Sequence, residues 1–300
     1  MALLKHENNP VEIAAQHLSA RFGGKVTVHS VVSLGGGCIN HAAKMETSAG
    51  TFFLKWNADC EPDMFLREAE GLAELKKAAK GELAIPEVYA AKATGDSPGF
   101  LVQEYLPPRP AQPGDDEKLG RGLGILHLYQ NKRFGFYNDN YCGATLQCNT
   151  WTDNWAVFFR DKRIGFLLQL IQNERPLPTA EIHVYEKLLG KIPGLLPTHS
   201  TPVLIHGDLW SGNYMMTEKG PALIDPATCY ADREMEFAII TLFGGFSQRF
   251  FYAYNEVNPL PADWKIRNRL YQLYHVLNHY YLFGGGYQSQ ALQIARYFAG

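Results

Sequence analysis

The 300-residue sequence lacks the marks of several classes of protein. It has no excess charge of either sign, since 28 lysines and arginines face 30 aspartates and glutamates, and no run of five or more like charges. This balance argues against a nucleic-acid partner or a membrane surface. The longest apolar stretch, residues 237–246, is broken by Thr241 and a glycine pair and is far too short to span a bilayer.

Cysteine is also scarce, and the first ten residues lack the apolar run of a signal peptide. The five cysteines are scattered and odd in number, which fits a reducing compartment better than a disulfide framework. The fractions of hydrophobic residues, 46%, and of charged residues, 19%, are ordinary for a chain that buries a core. The sequence therefore predicts a globular, cytoplasmic protein.

A proline-rich stretch at residues 106–113 divides the predicted elements into two groups. Residues 1–106 form a small lobe of antiparallel sheet with one main helix, which starts near residue 62, and residues 107–300 form a larger, mainly helical lobe. The fold class predicted is α+β. The strands predicted in the small lobe are 26–34, 41–46, 51–56, 88–93 and 100–103. The helices predicted in the large lobe are 115–129, 151–172, 178–189, 232–243, 261–282 and 287–298, with short strands near 203–206, 214–216 and 222–224.

The sequence HGDLWSGN at residues 206–213 contains the strongest candidate site. An apolar strand leads into it, and a second short apolar run ends at Asp225. Phosphoryl transfer needs a carboxylate that accepts the hydroxyl proton and oxygen ligands for Mg²⁺. Asp208 suits the first role, and Asn213 and Asp225 suit the second. Asp, Gly and Asn also form ordinary turns, but this order of residues is rare by chance.

This segment resembles the catalytic loop of kinase-like small-molecule phosphotransferases, the aminoglycoside and choline kinase relatives. More narrowly, it resembles the fructosamine (ketosamine) 3-kinase family. Supporting stretches are GGGCIN at 35–40, FFLKWN at 52–57, MFLREAEGL at 64–72, FGFYNDNYCGATLQCNTW at 134–151, DPATCYADRE at 225–234, LFGGF at 242–246 and YQLYHVLNHYYLFGGGY at 271–287. Two departures, Ala231 in place of glycine and residues 235–237 in place of an Asp-Leu pair, are expected to affect only local packing. The resemblance implies a two-lobe, protein-kinase-like fold.

In the small lobe, Lys55 ends an apolar strand and needs a partner. Glu68 shares the buried face of the following helix, because it lies at helical spacing from that helix's apolar residues. A lone lysine or glutamate is usually solvated, but together they are typical of the ion pair that positions the α- and β-phosphates. Glu70 and Glu74 lie on other faces and are expected to be solvated.

Two backbone segments complete the predicted ATP site. The glycines of residues 35–40 let backbone N–H groups approach phosphate, although a flexible hairpin remains the alternative, and the loop is not a Walker A motif. Its candidate residues are Gly35, Gly36, Gly37, Cys38 and Asn40. The resemblance implies an adenine hinge at Gln103, Glu104, Tyr105 and Leu106, where backbone groups of Glu104 and Leu106 would meet the adenine edge.

Cys38 lies inside this phosphate loop, where backbone N–H groups and Lys55 would favour its thiolate. One hypothesis is that Cys38 is sensitive to oxidation and links two subunits through a disulfide. The alternative is a small residue that only fits the loop. The chain is therefore predicted to be a monomer or a redox-linked homodimer.

Residues on the acceptor side are less well defined. Trp210 is either an aromatic wall against the acceptor or a buried core residue. Asp232 and Glu234 open a helix, where acidic residues often serve only as caps, and a role at the acceptor or in the metal shell is the alternative. By resemblance, residues 143–155 lie near the acceptor pocket. His206 is expected to fix the loop backbone.

The resemblance implies an ATP- and Mg²⁺-dependent kinase that phosphorylates the 3-hydroxyl of a ketosamine, after which the adduct breaks down and releases the amine. Which ketose and which amine are involved is left open. Alternatives are an aminoglycoside- or choline-type kinase and a kinase-shaped binding module. The module would tolerate loss of the candidate residues, which are all present. A protein Ser/Thr kinase is disfavoured by the absence of an Asp-Phe-Gly motif.

Overall fold

The computed structural model of the chain describes residues 9–35 and 40–300 and has two lobes. The small lobe contains a five-stranded antiparallel sheet in the order β1-β2-β3-β5-β4. Its strands are β1 Val28–Leu34, β2 His41–Thr47, β3 Gly50–Asn57, β4 Val88–Lys92 and β5 Gly99–Glu104, and its helices are α1 Pro10–Phe22 and α2 Met64–Ala79. The predicted fold class is confirmed, and the boundary at 106/107 stays a prediction.

The small lobe contains one helix more than the sequence indicated. The side chain of Asn9 caps α1 by accepting from the Val11 N–H, and the helix ends at Gly23, whose φ is +70°. Its narrow apolar stripe, which includes Ala14 and Leu18, packs on the inner face of the sheet. The prediction of a single helix was wrong because this stripe is short and weakly apolar.

Helix α2 has its apolar stripe where the sequence placed it, with Phe65, Leu72 and Leu75 all buried. These side chains belong to the hydrophobic cluster that fills the large lobe, whereas the inner face of the sheet packs with α1 in a separate cluster. Helix α2 therefore forms part of the junction between the two lobes.

The large lobe is mainly helical. Its helices are α3 Asp115–Leu126, α4 Trp155–Phe158, α5 Phe166–Glu174, α6 Thr179–Leu195, α7 Glu234–Phe243, α8 Gln248–Val257, α9 Trp264–Phe283 and α10 Tyr287–Ala299. Its strands are β6 Asn140–Cys142, β7 Thr145–Gln147, β8 Val203–Ile205, β9 Tyr214–Thr217, β10 Gly220–Leu223 and β11 Cys229–Ala231. Strands β6 and β7 pair as a hairpin, as do β9 and β10, while β11 pairs with β8.

Three features of this lobe differ from the prediction. The helix predicted at 151–172 begins at Trp155 under an Asn154 cap and is interrupted by a π-helical turn, Phe159–Gly165. Helix α8 was missed, and so were the strands β6, β7 and β11, which are three residues each. Such short strands carry too little periodicity to be detected in a sequence.

Close packing explains why α3 contains glycine. A Cβ atom at Gly120 would lie 2.2 Å from the backbone oxygen of Phe250 in α8, and a Cβ at Gly124 would lie 2.9 Å from Val257. Only glycine permits this backbone approach. Helix α8 can therefore pack closely on α3 because Gly120 and Gly124 carry no side chain. The sequence of either helix alone does not reveal this packing.

The pairing of β8 with β11 positions the candidate site. Ile205 lies opposite Cys229, so the loop that follows β8 sits beside the segment that leads into β11. Within the described part of the chain, no helix is long and apolar enough to cross a membrane.

Candidate active site

In the loop after β8, the backbone conformation and close packing at residue 207 require glycine. Gly207 has a φ of +83°, and a Cβ there would lie 2.1 Å from the carbonyl oxygen of Ala227. His206 is buried and donates from Nε2 to the carbonyl of Ile224 at 2.8 Å, while its Nδ1 accepts from the Asp208 N–H at 3.3 Å. Burial lowers the pKa of His206, so the neutral ring holds the loop, in line with its predicted structural role.

Asp208 and Asn213 are joined by hydrogen bonds within this loop. Nδ2 of Asn213 donates to the backbone oxygen of Asp208 at 2.8 Å and to its carboxylate Oδ2 at 3.0 Å. The amide is thereby oriented so that its Oδ1 is the atom left for a cation. Burial and the carboxylates of Asp225 and Glu236 raise the pKa of Asp208 to about 8, against the hydrogen bond from Asn213. A raised pKa makes the carboxylate a stronger proton acceptor.

Glu236, a residue that the sequence analysis set aside, lies directly under the loop. Its carboxylate accepts the backbone N–H of His206 at 2.5 Å and that of Gly207 at 3.0 Å, and its side chain is buried. His127 Nε2 lies 3.6 Å from the same carboxylate. The expectation that residues 235–237 affect only local packing was therefore wrong. A carboxylate inside the apolar run of α7 was the signal, because buried charges need partners.

The second metal-ligand candidate meets the small lobe. Nζ of Lys55 lies 2.9 Å and 3.1 Å from the two carboxylate oxygens of Glu68, and 3.0 Å from Oδ1 of Asp225. Burial lowers the pKa of Lys55, but the two carboxylates outweigh burial and hold that pKa above its ordinary value. Lys55 is therefore a buried, charged ammonium at the junction of the lobes.

Asp225 has a backbone conformation that L-residues other than glycine rarely adopt, with φ at +53°. Such strain is often found at functional sites. Its carboxylate remains 43% exposed, so it can still accept a ligand from solvent.

A continuous chain of contacts links the four principal candidates. Lys55 touches Asp225, the N–H of Ile224 next to Asp225 donates to the backbone oxygen of Asn213 at 3.0 Å, and Asn213 touches Asp208. The structure thus connects the ammonium of Lys55, from the small lobe, to the candidate residues Asp208, Asn213 and Asp225, which lie more than 150 residues further along the chain.

The donor set fits Mg²⁺. Magnesium is usually held by one or two protein oxygens together with substrate phosphates, and Asn213 Oδ1 with the Asp225 carboxylate supplies such a pair. Among the described residues, no group of three or more His, Cys, Asp or Glu side chains could hold a metal alone.

The predicted phosphate loop is only partly visible. Gly36, Gly37 and Cys38 lie outside the described residues. Gly35 is exposed, and the Asn40 side chain accepts from Asn57 Nδ2 at 3.0 Å. The structure therefore anchors the end of the loop to β3 through Asn57.

The predicted hinge follows β5. Gln103 is buried, and no donor among residues 9–35 and 40–300 makes a hydrogen bond to its Oε1. The Glu104 N–H donates to the carbonyl of Glu87 at 2.8 Å, so the adenine contact expected of Glu104 would have to come from its carbonyl. Leu106 is buried, and the Tyr105 ring lies 5.5 Å from the ammonium of Lys44.

The acceptor-side candidates occupy different places. Trp210 is 41% exposed, so the alternative of a buried core tryptophan is wrong. Asp232 accepts from Ser200 Oγ and from the Glu234 N–H, the second at 2.8 Å, and both Glu234 oxygens pair with Arg267. Asp232 therefore accepts a backbone N–H at the start of α7, and Glu234 forms an ion pair with Arg267.

A buried polar network stands behind the site. Asn140 Nδ2 donates to the carbonyl of Thr228 at 2.8 Å, and the Oδ1 of Asn140 accepts from Gln147 and Asn149. Arg163, fully buried on the π-helical turn, donates to Asn149 at 2.7 Å. Residues 143–155 thus support the segment that follows Asp225. Arg163 was missed because its partners Cys148 and Asn149 lie 15 and 14 residues earlier in a segment without helical or strand periodicity.

The two lobes with this site between them define a protein of the protein-kinase-like class. An aminoglycoside phosphotransferase crystallised with AMP-PNP and hygromycin B has the same fold, with a TM-score of 0.61 at 14% identity over 95% of this chain.

Closer matches define the family. The chain matches the fructosamine kinase family over residues 10–298. It is 36% identical to a Synechocystis protein described as a ketoamine kinase, over 96% of both chains, and 39% identical to a chloroplastic protein-ribulosamine 3-kinase of Oryza sativa, over 90% of this chain and 79% of the relative. A Thermobifida fusca structure described as a fructosamine-3-kinase superposes with a TM-score of 0.83 at 31% identity, over 95% and 97% of the two chains. The chain belongs to the fructosamine kinase family.

Proposed function

We propose that this chain is an ATP-dependent ketosamine 3-kinase, which transfers the γ-phosphoryl group of ATP to the 3-hydroxyl of a sugar-derived ketosamine. The observation that carries the proposal is the chain of contacts from Lys55 through Asp225 and Asn213 to Asp208. Family membership supports it, since relatives are described as ketoamine kinases and as a protein-ribulosamine 3-kinase.

Each residue has a distinct role in the proposed reaction. Asp208 accepts the proton of the acceptor hydroxyl, and its carboxylate is held in place for this by the hydrogen bond from Asn213 Nδ2. Lys55, fixed by Glu68, supplies positive charge for the α- and β-phosphates. Asn213 and Asp225 would hold Mg²⁺, which when bound draws charge from the phosphate oxygens. The enol form of the 3-phosphorylated ketosamine expels inorganic phosphate from C3, and water hydrolyses the resulting imine to the free amine and a 3-deoxy-dicarbonyl sugar.

The acceptor side is less constrained. The exposed ring of Trp210, two residues after Asp208 in the same loop, offers an apolar face for a sugar. Asp232 and Glu234 already have partners, so we assign the acceptor contact to Trp210 first. An aminoglycoside-type kinase remains the second candidate, but the likeness to that class is in the fold alone.

A substrate panel tests the proposal. Purified protein with ATP and Mg²⁺ is expected to phosphorylate fructosyl-, ribulosyl- or erythrulosyl-lysine and to leave kanamycin and choline unmodified. Turnover is followed as ADP release, and the position of the phosphate by ³¹P NMR. Turnover of kanamycin or choline alone would overturn the assignment, and so would a phosphate at a hydroxyl other than the third. Chelation by EDTA should abolish turnover, and added Mg²⁺ should restore it.

Cys38 lies outside the described residues, so its oxidation and a disulfide-linked dimer stay predictions from the sequence, as does the cytoplasmic location. Peroxide is expected to inactivate the wild type reversibly, with dithiothreitol restoring activity and converting any dimer to monomer. In Cys38→Ala, peroxide should no longer cause reversible inactivation. The activity of this variant before oxidation shows separately whether the Cys38 side chain is needed in the loop. Equal, thiol-reversible inactivation of both proteins would rule out Cys38.

A further inference from the structure

Helix α2 of the small lobe contacts the large lobe at several points between its N-terminal end and Glu74. The contacts come from the residue that precedes the helix, Asp63, and from Glu70, Gly71 and Glu74 within it. Because α2 also carries Glu68, whatever fixes this helix also fixes the partner of Lys55.

The main hydrogen bonds between α2 and the large lobe are made by Glu74, which was expected from the sequence to be solvated. Glu74 is only 5% exposed, and its Oε1 accepts the hydroxyl of Tyr230 at 2.7 Å and that of Tyr129 at 3.3 Å. Its other oxygen meets Lys77 of the same helix at 2.8 Å. The expectation was wrong because both tyrosines belong to the large lobe, which the pattern of the helix alone does not reveal.

Further contacts lie toward the N-terminal end of the helix. The Tyr141 hydroxyl donates to Oδ1 of Asp63 at 2.6 Å, and Asn138 donates to Glu70 at 3.0 Å. Between these contacts and Glu74, the helix has a glycine against the large lobe. A Cβ at Gly71 would lie 3.0 Å from Oγ1 of Thr228, so the helix backbone rests directly on the segment that follows Asp225.

The partners on the large lobe connect α2 to the catalytic parts. Tyr230 lies in β11, on the same short segment as Asp225, and Lys55 contacts both Asp225 and Glu68. A helix behaves as a stiff rod over this length, so a shift at Glu74 would also displace Glu68. The tyrosine contacts therefore set the distance between the Lys55–Glu68 pair and Asp225.

We propose that Glu74 and Tyr230, with the Asp63–Tyr141 pair, are positioning residues that hold α2 in its productive place before ATP binds. They act through Glu68 on Lys55, and none of them touches the reacting groups. This inference rests on the proposed role of Lys55 in holding the phosphates of ATP. Helix α2 is then a fixed part of the site that does not swing away during turnover.

Tyr230→Phe tests the proposal with the smallest change, since it removes one hydroxyl. We expect the KM for ATP to rise about tenfold with a smaller change in kcat, because a misplaced Lys55 weakens ground-state and transition-state binding together. The matched control is Lys77→Gln, which removes the other partner of Glu74 within the same helix. Lys77 is 64% exposed, so this variant should change the KM for ATP by less than about twofold.

A double-mutant cycle shows whether Tyr230 affects ATP binding by positioning Glu68 or only by stabilising the fold. If Tyr230 acts through Glu68, its effect on the KM for ATP should fall from about tenfold to about twofold in a Glu68→Gln background. The same factor in both backgrounds would show a purely structural contribution and overturn the proposal. Amide exchange should also speed up in α2 but not in α3 of Tyr230→Phe, and unchanged exchange in α2 would count against it.

Lys55→Met distinguishes failure of the proposed role of Lys55 from failure of the positioning role of Glu74 and Tyr230. If this variant keeps the wild-type KM for ATP, the proposed function of Lys55 fails, and the positioning role of Glu74 and Tyr230 fails with it. If Lys55→Met raises the KM for ATP while Tyr230→Phe and Glu74→Gln combined leave it at the wild-type value, only the positioning role is overturned.

Discussion

Asp208→Asn is expected to lower kcat about a hundredfold or more, the loss that follows removal of a positioned general base. The asparagine oxygen can still accept the hydrogen bond from Asn213 Nδ2, so the loop should keep its shape. The KM for ATP should change little, because the proton acceptor does not hold the phosphates. Steady-state kinetics with a ketosamine and with ATP, each varied in turn, measure both quantities.

Asp232→Asn is the matched comparison. Asp232 is also buried, and burial raises its pKa to about 6, but its contacts are with Ser200 and the start of α7. Its kcat should stay within about threefold of the wild type. Near-normal turnover in Asp208→Asn would remove Asp208 from its role, and a large loss in Asp232→Asn would place Asp232 at the acceptor.

Glu236→Ala is the second variant with a large expected effect. It leaves the backbone N–H groups of His206 and Gly207 buried without their acceptor. Since a hydrogen bond to a charged group contributes about 1.5–3 kcal/mol, the free energy of unfolding should fall by about 3–5 kcal/mol. The loop that carries Asp208 should also lose its fixed geometry, and kcat should fall at least about tenfold. Urea unfolding gives the stability, and kinetics corrected for the folded fraction give kcat.

Glu234→Ala serves as the control on the same helix. It removes the buried pair with Arg267, so it should also destabilise the protein. It does not touch the catalytic loop, and the kcat of its folded fraction should remain near that of the wild type. If Glu236→Ala and Glu234→Ala behave alike in kcat, Glu236 supports the fold only and not the geometry of the loop.

Predictions about residues on one segment were more accurate than predictions about residues whose partners lie on other elements, and the reason is physical. Residues that lie on one continuous segment, such as Asp208 and Asn213, interact through local geometry, and spacing alone places them together. The partners of Glu74 and Glu236 come from other elements, so from the sequence Glu74 was expected to be solvated and Glu236 to affect only local packing. Burial of a charge is a property of the assembled core.

By itself the sequence determined the elements with strong periodicity, including the strands β2 and β3 and the buried stripe of α2. It also placed Asp208 and Asn213 in one loop at residues 206–213. Only the tertiary structure decided which distant groups meet, as with Lys55 and Asp225 or Glu74 and Tyr230. The reason is that ion pairs and buried hydrogen bonds between segments depend on how the lobes pack, and no local pattern encodes that packing.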